Sequence, residues 1–554
     1  MAVIRFIPGD RSVVVPDGTN LLEAARKTGV FIAAPCDGSG TCGKCHVKIP
    51  EAQRGNFQEA PHGLLTPAER AEGWVLACQS TVHGNLEVEP GECADDDLKI
   101  LSEGQAVAVE LDAWITKTFD ASTGQTTVNA GGVSIGNEPG DTTRSPFGVA
   151  VDIGTTTLVV ALIDLRDGRE LSVASSLNPQ ARRAQDVLSR IKIGSQPDGL
   201  RLLQGELIEE LNRLISEAAA ESNVPDRHIY EAVFSGNTTM LHLAAGTNPA
   251  SLGKYPYIPA LKCGGQIRAA DVGLAIAPQG QIYLPPIMSA YVGADITSGI
   301  LATRLAELRG VTLFVDIGTN GEMVLAVNGQ LTATSTAAGP AFEGMNISCG
   351  MRASRGAIEM VSLSGDNIEI KTIGNAPPVG LCGSGLLDVV GELAAHGGVD
   401  KNGRFQSNGT LPERPWKNQF GSLNGKLFFC IADPVYLSQK DVRQVQLAKA
   451  AVRAGIDLML RANGLAAAQV DRVLIAGSFG FHLRTASLIH LGLLPREFGD
   501  RVEFVGNTSK SGARAFLLNR RLRDKLKQLA QRVRVLELAN DPAFQKTFVQ
   551  ALSF

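Results

Sequence analysis

Cys36, Cys42, Cys45 and Cys78 are the residues of this chain with the plainest chemistry, and three of them share the loop Pro35-Cys-Asp-Gly-Ser-Gly-Thr-Cys-Gly-Lys-Cys45. An iron-sulfur cluster requires thiolate ligands and backbone N–H groups turned toward its sulfides. Gly38, Gly40 and Gly43 let a loop wrap that closely. Four thiolates around one glycine-rich loop fit a [2Fe-2S] cluster. Zinc is the alternative, but zinc sites usually pair two short Cys-x2–4-Cys knuckles, and here one ligand stands alone.

A second signal is a verbatim repeat: Val151-Asp-Ile-Gly-Thr155 recurs as Val315-Asp-Ile-Gly-Thr319. Each copy follows an apolar run and precedes an alternating one, the pattern of a hairpin opening a structural half. A phosphate chain held between two such turns needs backbone N–H donors, hydroxyls, and a carboxylate to hold magnesium and its waters. Gly154, Thr155, Thr156 and Thr157 offer these in the first turn, and Gly318, Thr319, Asn320 and Gly321 in the second. Asp152 and Asp316 are the carboxylates. One copy alone would read as an ordinary hairpin turn built from Asp and Gly; two identical copies favour a shared ligand.

The elements that must position these groups follow from periodicity. Residues 2 to 7 alternate, residues 11 to 15 form a second extended run, and residues 21 to 27 read as a short helix introduced by Asp17 to Asn20. The loop cysteines come next, and Cys78 closes a strand-like run from Trp74. Residues 1–92 therefore read as a small β-rich unit and residues 93–147 as a connector with little core of its own. Residues 148–306 and 307–554 are expected to be two related α/β halves. A chain of 554 residues with 44% hydrophobic content can fill several cores. A net charge of −4 gives no basic excess of the kind that would point to nucleic acid. The start breaks at Pro8 and Asp10 before a signal-type stretch forms, and no run is long enough to cross a membrane, so a cytoplasmic location is expected. Basic residues from Arg520 to Arg534 read either as a dock for an acidic partner or as a solvated helix face, with the second favoured.

The cysteine spacing resembles the adrenodoxin-like branch of [2Fe-2S] ferredoxins. The paired turns resemble the phosphate motifs of the superfamily of acetate and sugar kinases, Hsp70 and actin, which implies ATP and Mg2+ as ligands and a duplicated ribonuclease H-like fold. Val473-Leu-Ile-Ala-Gly-Ser-Phe-Gly480 is similar to that superfamily's adenosine motif, with Ala476-Gly477 in place of the common Gly-Gly. The resemblance assigns Gly477, Ser478 and Gly480 to the nucleotide. Gly383 and Ser384 open an apolar helix whose free N–H groups read either as donors to a phosphate or ribose or, with equal weight, as a plain helix entry. Tyr291 to Ser298 looks like the connecting segment, in which Asp295 would orient the attacking water; a helix cap explains the same residue.

A β-grasp-like ferredoxin unit, a connector and a duplicated ATPase in one chain resemble the reductive activators of corrinoid proteins. Asn178-Pro-Gln180, Asp186-Val-Leu-Ser-Arg190, Ser235-Gly-Asn-Thr-Thr-Met240, Gly339-Pro-Ala-Phe-Glu-Gly344 and Asp541-Pro-Ala-Phe544 extend the likeness along the chain. The resemblance implies an ATP-dependent transfer of one electron from the cluster to Co(II) on a partner corrinoid protein of a methyltransferase system, giving Co(I). A flavin or ferredoxin-type reductase is the implied upstream donor and a homodimer the implied assembly, with no nucleic acid and no membrane. The chain lacks an Asp-x-His-x-x-Gly cobalamin signature: Asp226-Arg-His228 is followed by Glu231 where glycine is required. Two rival readings are a small-molecule kinase with a redox-sensing iron-sulfur domain and an activator of another low-potential metalloenzyme.

Overall fold

The computed structural model describes residues 1–554 except 8–10, 29, 31, 33, 35–37, 39, 41–42, 62–63, 92–103, 105–106, 365–366, 407–414, 424, 478–482 and 539–540. Alternation in Ala2–Phe6 buries Ala2, Ile4 and Phe6 on one face. That strand pairs antiparallel with Arg11–Val15 and parallel with Leu86–Pro90, and the sheet continues through His46–Lys48 to Trp74–Leu76. Helix Leu21–Thr28 lays Leu21, Leu22, Ala24 and Ala25 against this sheet, giving the expected β-grasp. Asn20 starts the helix by accepting the Leu22 N–H at 3.0 Å. The run from Trp74 is not one strand: it bends after Leu76 into the short turn Ala77–Gln79, which carries Cys78.

Within the connector, Ile115–Asp120, Gln125–Ala130 and Val133–Pro139 form a three-stranded antiparallel sheet that the sequence reading missed. Its inward residues Ile115, Val128 and Ala130 pack with Tyr230, Tyr283 and Phe516 of the large domain, so its core is shared. Lys117 fixes the joint: its buried ammonium lies 2.9 Å from Glu138 and 4.4 Å from the Tyr230 ring centre, and the Tyr230 hydroxyl donates to Glu138 at 2.6 Å.

The two halves repeat one sheet. The first runs Glu170–Leu177, Thr157–Asp164, Phe147–Ile153, Ile229–Gly236, Gln281–Leu284, Gly265–Arg268. In the second, Gln330–Thr336, Gly321–Val327, Val311–Ile317, Arg472–Ala476 and Val502–Gly506 follow the same order. In each, an antiparallel meander of three strands gains a parallel strand beside its first member. This is the duplicated ribonuclease H-like arrangement, and it sets the two Asp-Ile-Gly-Thr turns at equivalent sheet edges.

Helix Thr508–Leu518 follows the last long strand of the second half yet packs on the first, against Phe147–Ile153, Ile229–Gly236 and helix Ala294–Ala302. Gly512 permits this crossing, since a Cβ there would lie 2.2 Å from the Ser298 carbonyl oxygen. Beyond it, the Arg523 guanidinium reaches buried Glu231 at 2.8 Å and lies over the rings of Trp114 and Tyr283 at 5.2 and 4.5 Å. Connector, first half and C-terminal helix thus meet on one cation. Arg520 and Arg521 pair with Asp112, and Lys525 with Glu307, so much of the basic segment is neutralised within the chain. No helix among the described residues is long and apolar enough to cross a membrane.

Arg523→Ala leaves Glu231 charged and buried, and should destabilise the protein by about 3 kcal/mol or more in denaturant unfolding. The double variant Glu231→Leu/Arg523→Met should recover much of that loss. An Arg523→Ala effect under about 1 kcal/mol would mean that the pair does not carry the joint.

Candidate functional site

The first turn closes through Gly154, whose N–H donates to the Thr157 carbonyl at 2.9 Å; a Cβ at Gly154 would sit 2.7 Å from that oxygen. It is then held from behind. Asn178 donates its side-chain amide to the Gly154 carbonyl and its backbone N–H to the Thr156 carbonyl, both at 2.9 Å. Arg190, fully buried, donates to the Thr155 carbonyl at 2.6 Å and also to Gln180 Oε1 and the Ala184 carbonyl. Burial pulls this guanidinium down to about 9, which leaves it charged at neutral pH. Asn237 donates to the Thr155 hydroxyl at 3.0 Å and caps helix Thr238–Ala244. The three segments Asn178–Gln180, Asp186–Arg190 and Ser235–Met240 therefore form the rear support of one turn, a role that only the tertiary contacts reveal.

The second turn closes through Gly318 N–H to the Asn320 carbonyl at 3.0 Å. Gly477 comes against it with φ +105°, where a Cβ would lie 2.4 Å from the Ile317 carbonyl oxygen and 2.8 Å from Asp316 Oδ1. Glycine is thus required at 477 on two counts. Ser478 and Gly480 lie outside the described residues.

The two turns face each other over one cleft that is open to solvent. Asp152, Gly154, Thr155, Thr156, Thr157, Asp295, Asp316, Gly318, Thr319, Asn320 and Gly477, all singled out by sequence, line it. Gly321 is buried in its strand and does not. Gly383 and Ser384 also stand apart: they begin helix Gly383–Ala395, and Ser384 donates its hydroxyl to the Glu359 carbonyl at 2.8 Å, so the chain itself satisfies it.

Residues that the motifs did not show complete the cleft. Asn507 and Ser509, at the start of the crossing helix, donate to the two oxygens of Asp152 at 2.8 and 2.7 Å. Thr508 lies between them, with a buried hydroxyl that has no partner among the described residues. Glu322 stands opposite Asp316 in the hairpin register. Glu343 accepts the Thr156 hydroxyl at 2.5 Å and also that of Thr319, one from each turn. The register of the second hairpin was a signal that could have exposed Glu322; Glu343 lies in the segment Gly339 to Gly344 that the sequence singled out, but its role comes only from its contacts with both turns.

The carboxylates have little water and face like charges. Burial raises Asp152, against the hydrogen bonds from Ser509 and Asn507. Burial, with the Asp152 charge adding to it, takes Asp295 up to about 7. Asp316 is pushed up to about 8 by burial and then by the charges of Asp295 and Asp152, and Glu322 is also raised by burial and by Asp295 and Asp316. Burial holds all four carboxyls above the ordinary range, and among the described residues no three acidic, His or Cys side chains stand close enough to hold a metal ion by themselves.

In the ferredoxin unit, Cys45 and Cys78 are buried and described; Cys36 and Cys42 lie outside the described residues. The Cys78 N–H donates to Cys45 Sγ at 3.4 Å and the Gln79 amide to Cys78 Sγ at 3.5 Å. Gly38, Gly40 and Gly43 all have φ between +69° and +83°. N–H groups directed at sulfur and a left-handed loop fit a thiolate-bound iron-sulfur cluster.

Comparisons with known proteins agree with this layout. Residues 6–83 match the 2Fe-2S iron-sulfur cluster binding domain, residues 147–308 the RACo middle region, and residues 310–554 the C-terminal domain of RACo, the ASKHA domain. The corrinoid activation enzyme RamQ of Eubacterium limosum is 34% identical over 418 residues, 74% of this chain and 70% of that protein. The [Co(II) methylated amine-specific corrinoid protein] reductase of Methanosarcina barkeri is 24% identical, over 74% of this chain and 77% of its own length. A solved structure, the reductive activator for corrinoid,iron-sulfur protein, superposes with a TM-score of 0.72 at 32% identity, covering 100% of this chain and 98% of that one.

Each raised carboxyl in the cleft binds its proton more tightly folded than unfolded. The contribution of these groups to stability is therefore full below the ordinary carboxylate pKa of about 4 and is lost as pH rises toward 7 to 8. Without cation or nucleotide, Tm should fall between about pH 5 and pH 8, and Asp316→Asn should flatten that slope. A Tm that rises across this range, or a slope that Asp316→Asn leaves unchanged, contradicts the charge arrangement.

Proposed function

The chain belongs to the family of reductive activators of corrinoid proteins, and we propose that it uses ATP to return one electron to an inactive Co(II) corrinoid on a partner methyltransferase-system protein, regenerating Co(I). The observation that carries the ATP dependence is the meeting of Thr156 and Thr319 on one carboxylate. It supports reading the two Asp-Ile-Gly-Thr turns as opposite walls of one phosphate site.

On this reading the turns' N–H groups and the hydroxyls of Thr155, Thr156, Thr157 and Thr319 grip the phosphate chain, and Gly477 lets the nucleoside end approach the second turn. Asp152 and Asp316 would hold Mg2+ and its waters. Asp295, brought near neutrality by burial, is suited to take a proton from the attacking water. Cys36, Cys42, Cys45 and Cys78 would hold the [2Fe-2S] cluster, which supplies a one-electron store near about −400 mV if it behaves as plant-type clusters do. Each ~59 mV uphill from there costs about a factor of ten in yield. Nucleotide state can offset that cost only by favouring a partner-bound conformation in which cobalt accepts the electron more readily.

The test follows cobalt absorbance of candidate corrinoid proteins mixed with the reduced chain. Co(I) should form with ATP and Mg2+ at least about tenfold faster than without nucleotide, a difference of roughly 1.4 kcal/mol. Cys45→Ser should abolish the electron transfer, and Asp295→Asn should slow ATP turnover by about 100-fold. Equal Co(I) formation with and without ATP would overturn the proposal.

A further inference from the structure

Among the contacts of the described residues that tie the ferredoxin unit to the large domain, those of Lys44 and Arg183 each lie on a segment that also supports one of the two turns. Lys44, between Cys42 and Cys45, donates to the carbonyls of Ser348 and Gly350. Arg183 donates to the Arg26 carbonyl in the last turn of helix Leu21–Thr28. Arg183 stands between Asn178 and Arg190, the residues that hold the first turn's carbonyls. Ser348 follows Glu343 by a few residues, and Glu343 holds the hydroxyls of both turns.

The stretch from Glu343 to Gly350 is anchored at and beside both ends. Phe342 and Ile347 are buried, and a Cβ at Gly350 would lie 2.0 Å from the Gly344 carbonyl oxygen. The Ser348 N–H donates to buried Asp441 at 2.8 Å, and the Gly339 N–H to the Thr319 carbonyl at 2.9 Å. A displacement at Glu343 therefore has little slack to absorb it before the carbonyls that hold Lys44.

A hydroxyl has one proton to donate, and those of Thr156 and Thr319 are both committed to the Glu343 carboxylate. Phosphate oxygens only accept, and they repel a carboxylate, so a bound triphosphate and this Glu343 contact compete for the same two donors. We propose that Glu343 is a clasp coupling the nucleotide cleft to the cluster loop: phosphate binding displaces its carboxylate from Thr156 and Thr319, and the 343–350 segment passes that displacement to Lys44, loosening the ferredoxin unit from the large domain. Glu343 is thus a positioning residue. The inference deepens the ATP-driven reading above and rests on it.

The test is hydrogen–deuterium exchange on the full-length, cluster-loaded protein, with and without Mg2+ and a non-hydrolysable ATP analogue, alongside calorimetric measurement of analogue binding. In the wild type the analogue should speed exchange in both 343–351 and 43–48 by about tenfold or more, since each lost hydrogen bond to a charged acceptor is equivalent to at least about a factor of ten. Glu343→Ala should bind the analogue at least as tightly and show fast exchange in both segments without it. Glu343→Gln, which keeps the shape and loses the charge, should show a reduced response. Lys44→Ala should keep the response of 343–351 and lose that of 43–48. Analogue binding with no change at 43–48 in the wild type, or a full response in Glu343→Ala, overturns the clasp and leaves the ATP reading standing. Failure of the wild type to bind the analogue at all overturns both.

Discussion

Asp152, Asp295, Asp316 and Glu322 line the place where two copies of one turn meet; burial raises all four, neighbouring carboxylate charges raise the last three further, and the Lys510 charge and two hydrogen bonds draw Asp152 back. Such a cluster is costly to keep ionised without a counter-charge. The surrounding structure makes the convergence unavoidable. Duplicate sheets present equivalent edges, and the crossing helix brings Asn507 and Ser509 from the second half onto Asp152 of the first. Arg190 lies beneath the first turn, close enough that Glu343 and Asp186 favour its charged form, yet its donors are occupied by carbonyls and by Gln180. Arg190 therefore does little to neutralise the cleft: Asp295 and Asp316 hold their protons up to about pH 7 and 8, and Lys510 acts on Asp152.

The ferredoxin unit is joined to this cleft through the chain segments that shape the turns. The three-stranded sheet between the two units shares its core with the large domain, and the Lys117, Glu138 and Tyr230 contacts lock it there. A redox module held this way can respond to events at the phosphate site, because the residues that support the turns and those that touch the module are a few positions apart on the same segments. On the proposed reading, that proximity is what would let nucleotide binding act on electron transfer within one chain.

What could be read in advance was what is local in sequence. The cysteine spacing, the loop glycines and the repeated Asp-Ile-Gly-Thr announce themselves because their chemistry requires neighbours in the chain. The β-grasp start was legible from the alternation of Ala2 to Phe6 and from the apolar face of Leu21 to Thr28. The connector sheet was not, since its inward residues are few and find their apolar partners in the large domain. Glu343, Arg190 and Asn178 belonged to segments that stood out, but their roles arise from contacts between segments far apart in sequence. Ser384 stayed open between two readings because a glycine-rich helix entry looks the same in sequence whether its hydroxyl faces a ligand or bonds a carbonyl of its own chain, as it does to Glu359.

The central claim is that the cleft's carboxylates are arranged for a cation-bound phosphate chain. Its most direct test is a calorimetric titration of the purified chain with a non-hydrolysable ATP analogue at neutral pH, with Mg2+ and with a chelator. Binding should be at least about tenfold tighter with Mg2+, roughly 1.4 kcal/mol, and that advantage should shrink in Asp316→Asn. Binding that is indifferent to Mg2+, or no binding in either condition, would contradict the account.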